Sequence, residues 1–102
     1  MAVFNVTKEN FTEIRNSAKP VLLDFYADWC GPCRMVSPLV DEIAEEHREF
    51  TVGKVNVDEQ PELAAAFGVS SIPMLAVIKN GAVTAHAVGT RPKSAILDML
   101  KG

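Results

Sequence analysis

Apolar residues recur along this chain in two rhythms, and the switches between them mark out the elements. Val21-Leu22-Leu23-Asp24-Phe25-Tyr26-Ala27 is an almost unbroken apolar and aromatic run. That is the pattern of a strand covered on both faces, and it predicts a central β-strand. Met35, Val36, Leu39, Val40, Ile43 and Ala44 repeat instead at helical spacing, with Asp41, Glu42, Glu45 and Glu46 opposite. They predict an amphipathic helix starting near Pro32, its acidic residues forming a solvated surface. Pro38 lies inside that helix, removes a backbone donor and is expected to bend it.

Shorter signals place the remaining elements. Ala2 to Val6 reads as a first strand, and residues 10 to 17 as a helix with Phe11 and Ile14 on one face. Thr51 to Val57 reads as a third strand, followed by a short helix that starts at Pro61 and stops at Gly68. Met74 to Lys79 and Ala82 to Val88 flank Asn80-Gly81, a dipeptide suited to the positive φ angles of a tight hairpin. Pro92 opens a last helix with Ile96, Leu97 and Leu100 as its buried stripe. The order βαβαβ, then helix, hairpin and helix, without repeats or linkers, predicts one α/β domain over residues 1–102.

Composition adds limits. At 102 residues, 48% of them hydrophobic, the chain is long enough to bury roughly two-thirds of its unfolded surface without a disulfide. The start, MAVFNVTKEN, has neither a basic leader nor an apolar stretch, and no run approaches a membrane span. Two cysteines, in place of four or six, point to a reducing compartment. A soluble, cytoplasmic, monomeric protein is expected, with no membrane association. Ten basic residues against thirteen acidic ones give a net charge of -3, and no Lys/Arg stripe suits nucleic-acid phosphates.

The only two cysteines lie in Trp29-Cys30-Gly31-Pro32-Cys33-Arg34, where the central strand gives way to the long helix. Residues three apart at a helix start bring their Cα atoms to roughly 5–6 Å, within reach of a disulfide. The unpaired N–H groups there stabilise an anion, so the Cys30 thiol is expected to have a lowered pKa. Three uses compete. A zinc site needs two further ligands, and the only histidines are His47, late in a helix, and His86, within a strand. A permanent bridge over so short a loop constrains the unfolded chain little. Reversible opening and closing of the disulfide suits the pair better. A protease-type Cys-His nucleophile would leave the second cysteine idle.

Asp24 stands out in the apolar run. A carboxylate among Leu22, Leu23, Phe25 and Tyr26 would be desolvated, which predicts a raised pKa and a group able to exchange protons near neutrality. The bland alternative places it on a partly open strand face, merely solvating it. Taken alone, Lys54 reads as an exposed strand lysine.

The stretches Asp24 to Arg34, Val55-Asn56-Val57-Asp58, Ser71-Ile72-Pro73, Lys79-Asn80-Gly81 and Val88-Gly89 together resemble the signature of the thioredoxin family, in its order and spacing, over nearly the whole chain. The resemblance implies a thioredoxin fold: a central mixed five-stranded sheet with four helices on its two faces. It implies a protein disulfide reductase in which Cys30 attacks a substrate disulfide and Cys33 resolves the mixed disulfide. Asp24 would assist deprotonation of Cys33, with Lys54 beside it, and Gly31 and Pro32 would favour the reductant role. Pro73 would be cis, presenting Ile72 to an extended substrate, and Trp29, Gly31, Pro32, Ile72, Pro73, Val88 and Gly89 would form the contact patch. By the same resemblance the redox-active Cys30–Cys33 disulfide replaces any bound cofactor or metal. A flavin-containing thioredoxin reductase would supply electrons from NADPH, and disulfide-containing proteins would be the substrates.

Three positions depart from the common pattern. Met74 stands where threonine is usual, Tyr26 where tryptophan is frequent, and Arg34 where lysine is common; none removes a reacting group. A docking module without turnover, or an oxidant or isomerase on the same fold, are the competing functions.

Overall fold

The structure, a computed structural model, describes residues 2–102. Five strands form one mixed sheet in the order β1-β3-β2-β4-β5. Strands β1 (Val3–Asn5), β2 (Val21–Tyr26) and β3 (Thr51–Asn56) run parallel; β4 (Met74–Lys79) is antiparallel to β2, and β5 (Ala82–Val88) antiparallel to β4. Helices α1 (Phe11–Arg15), α2 (Gly31–Glu46), α3 (Pro61–Ala66) and α4 (Lys93–Lys101) complete the chain. Every predicted element is present. Helix α3 starts at Pro61 as predicted, and both α1 and α3 end two residues early, where the chain turns instead of continuing the helix.

Strand alternation sends successive side chains to opposite faces and builds two cores. On one face Leu23, Phe25, Val55, Ala76 and Ile78 pack with Ile14 of α1 and Leu63 of α3. On the other, Leu22, Val52, Leu75 and Val77 pack with Val36, Val40 and Ile43 of α2 and with Ile96 and Leu100 of α4. The first face is closely filled at Gly53, where a Cβ would strike Val6 Cγ2 and come within 3.3 Å of Leu23. The central position of β2, read from its unbroken apolar run, is confirmed by its buried neighbours β3 and β4.

Asn80 (φ 53°) and Gly81 (φ 81°) form the tight turn between β4 and β5. Helix α2 carries Pro38 inside and continues to Glu46. One residue of its expected apolar stripe is misplaced: Met35 is 69% exposed. The stripe along Val36, Val40, Ile43 and Ala44 already covers the sheet, and Met35 falls to its side.

Candidate functional site

The two cysteines sit where β2 hands over to α2. Cys30 is the N-cap of α2, in extended backbone, and Pro32 occupies the first turn, where its missing N–H leaves no helix bond unmade. The Cys30–Cys33 disulfide is formed, with Cα atoms 5.3 Å apart, inside the expected range. The backbone N–H of Cys33 donates to Cys30 Sγ at 3.2 Å. Cys30 Sγ also lies 3.9 Å from the carbonyl oxygen of Ile72.

The rim is assembled from distant segments. Trp29 is 69% exposed and is held by donation from its indole Nε1 to Asp58 Oδ2 at 2.8 Å. The Ile72–Pro73 peptide is cis; Ile72 packs against the cysteine pair, and no backbone hydrogen bond among the described residues engages it. Gly89 N–H donates to the carbonyl of Pro73 at 2.9 Å, and Val88 pairs with Met74, so both reach this end of the sheet. Gly31, Pro32 and Val88 are exposed, whereas Pro73 is buried and contributes backbone more than surface. A Cβ on Gly31 would meet nothing within 4 Å.

Asp24, two residues before the end of β2, lies on the α2 face of the sheet with Leu22 and is 1% exposed. The solvated alternative is therefore excluded. Neither carboxylate oxygen has a hydrogen-bond partner among the described residues. Burial is the main cause that pushes its pKa from 3.8 to about 7; the Lys54 charge opposes the rise, and the Asp41 charge adds to it.

Lys54 occupies the register position beside Asp24 on β3. Its side chain is only 18% exposed, contrary to the expectation for an isolated strand lysine. The cause is α2, which lies over this part of β3 and supplies two partners: Lys54 Nζ is 2.7 Å from Asp41 Oδ1 and donates to Ser37 Oγ at 2.5 Å. Asp41 is exposed, as expected of the helix's acidic face, and it is also the ion-pair partner of Lys54. Sequence reasoning missed Ser37, Asp41 and Asp58. Positions 33, 37 and 41, four apart along α2, were the available signal for the first two.

Tyr26, Ala27, Asp28, Cys33, Arg34 and Ser37 line a cleft of about 170 Å³, large enough to admit water. Among the described residues, no group of three His, Cys, Asp or Glu side chains gathers as a metal site. No helix among the described residues is long and apolar enough to cross a membrane.

Comparison with known proteins agrees with this geometry. The thioredoxin family model matches residues 2–102. Thioredoxin from Pyropia yezoensis is 48% identical over 102 residues, covering 98% of this chain and 95% of that protein. Thioredoxin 1 from Nostoc sp. is 45% identical with the same coverage. The solved structure of a point mutant of thioredoxin from Halobacterium salinarum NRC-1 superposes with a TM-score of 0.91 at 35% identity, covering 97% of this chain and 88% of that one. With a Cys-x-x-Cys disulfide at the start of α2, the matching sheet and relatives of nearly equal length, the chain belongs to the thioredoxin family of thiol-disulfide oxidoreductases.

Proposed function

We propose that the protein reduces disulfides in other proteins, with Cys30 as nucleophile, Cys33 as resolving thiol and Asp24 as the base that serves Cys33. The observation that carries the division of labour is the Cys33 N–H donated to Cys30 Sγ. A sulfur at the N-cap receives the unpaired N–H and the positive end of the helix dipole, so of the two reduced thiols Cys30 is the one stabilised as a thiolate. Cys30 thiolate attacks one sulfur of the substrate disulfide, forming a mixed disulfide and releasing the first substrate thiolate. Asp24 then takes the Cys33 proton, and Cys33 thiolate attacks Cys30 Sγ. The Cys30–Cys33 disulfide closes, and the second substrate thiolate leaves. Two electrons pass to the substrate, and the protein ends oxidised.

A base is most useful when its pKa lies near the working pH, and a value of about 7 suits Asp24 to this role. Lys54 tempers its charge, while Gly31 and Pro32 shape the turn between the sulfurs. Cis-Pro73 presents the free backbone of Ile72 to an extended substrate strand, which would pair with it largely irrespective of side chains. Trp29, Val88 and Gly89 complete the contact patch. This open rim suits a protein surface. The roomier cleft of about 670 Å³ over β5, lined among others by Phe11, Phe67 and Val83, includes neither cysteine. Residues from both ends of the chain share one sheet and its cores, which supports a single domain. Recharging by a flavin-containing thioredoxin reductase drawing on NADPH, within the cytoplasm and as a monomer, completes the cycle.

The test is trapping. Cys33→Ser should accumulate a stable mixed disulfide through Cys30 with a protein substrate such as insulin, and Cys30→Ser should trap almost none. Equal trapping by both variants would sink the assignment.

A further inference from the structure

We propose that Ser37 and Asp41 are positioning residues that tether the Lys54 ammonium to α2 and deny it to the Asp24 carboxyl. This rests on Asp24 serving as the base. Lys54 and Asp24 are register partners on adjacent parallel strands, with side chains on the same face, so a direct ion pair would be the simplest arrangement. The ammonium instead donates to Ser37 Oγ and pairs with Asp41 Oδ1, while both Asp24 oxygens are without partners among the described residues. Ser37 and Asp41 are one helical turn apart, so they grip the ammonium from a single face of α2.

Other groups around Asp24 offer it no competing cation. Beta-strand β4 contributes Leu75 and Val77, and α4 contributes Ile96 and Leu100, all apolar. Tyr26, two residues along β2 on the same face, is itself held above its ordinary pKa, chiefly by burial. Lys54 is thus the one cation that opposes the rise of Asp24, and Asp41 the anion that assists it. Direct contact with an ammonium would favour the ionised carboxylate strongly. Asp24 would then hold no proton at neutral pH and would be a weaker base. The tether keeps Lys54 close enough to limit the rise and too far to abolish it.

The experiment follows the Asp24 carboxyl by carbon NMR of the oxidised protein across pH, in Asp41→Asn, Ser37→Ala, Lys54→Met and the Lys54→Met/Asp41→Asn double variant. Asp41→Asn should lower the Asp24 midpoint by about one pH unit, a tenfold change in its ionisation, and Ser37→Ala should lower it less. In the Lys54→Met background Asp41→Asn should produce less than half of that movement. An unmoved midpoint in Asp41→Asn, or an equal movement with Lys54 absent, would overturn the tether. The titration needs no turnover, so it is read apart from the base role. The pH profile of release from the mixed disulfide should shift with the midpoint. A profile that stays still while the midpoint moves would support the tether and refute Asp24 as the base.

Discussion

The two faces of the sheet each bury a core and are differently made. Against α1 and α3, the sheet presents Leu23, Phe25, Val55, Ala76 and Ile78, all apolar. Against α2 and α4 it presents Leu22, Val52, Leu75 and Val77, and then, toward the cysteines, Asp24 beside Lys54. The first face follows the rule for buried surfaces throughout. The second breaks it at Asn56, whose side chain is hydrogen-bonded to backbone, and at Asp24, which has no hydrogen-bond partner among the described residues. On the proposed reading, the reaction keeps a polar group that burial penalises, whereas the apolar face answers only to packing.

That contrast can be broken by experiment. Phe25→Ala, which empties a fully buried site on the apolar face, should cost about 3–5 kcal/mol. Urea midpoints measured from acid to alkaline pH should show this loss as constant, and a strong pH dependence would erase the distinction between the faces.

Asp24→Asn should act with the opposite sign and with a pH profile. Well below pH 3.8 the carboxyl is protonated in both folded and unfolded states, so the variant should match the parent. Between that value and about 7 the unfolded chain ionises first, and parent stability falls as pH rises. The loss is complete above about 7, where the variant should be more stable by up to about 4 kcal/mol. Release from the mixed disulfide should slow roughly tenfold or more, and initial attack by Cys30 much less. Parallel stability curves in the two proteins would show that Asp24 carries no burial penalty.

Gly53→Ala probes the packing of the apolar face more gently. The new methyl would strike Val6 Cγ2 and crowd Leu23, both buried, so a loss of about 1–3 kcal/mol is expected. Thermal unfolding reads it, and an unchanged midpoint would mean that this face yields more easily than its contacts imply. Asp58→Ala, at the rim, should have the smallest effect on stability, below about 1 kcal/mol, because the bond it removes is exposed. Its consequence belongs to substrate binding: KM for a protein disulfide should rise a few-fold as Trp29 loses its anchor, with no change for a small-molecule disulfide.

What the sequence determined by itself is local. Val36, Val40, Ile43 and Ala44 recur at the helical period, Asn80-Gly81 supplies two positive φ angles in succession, and Pro61 opens α3. Each of these is a property of a few consecutive residues, legible without knowing what lies across from them. The placement of the cysteines at the start of α2 followed from the same local signals, and the resemblance to the thioredoxins added the cis bond at Pro73, which no local preference predicts. Tertiary structure decided the rest. The order β1-β3-β2-β4-β5 puts β3 beside β2 and so Lys54 beside Asp24, thirty positions away. The packing of α2 over that pair then gave the exposed Asp41 a partner in Lys54 and left Met35 in solvent. A charge's partner and a carboxyl's solvation depend on which segments meet in space, and periodicity along the chain carries no record of that.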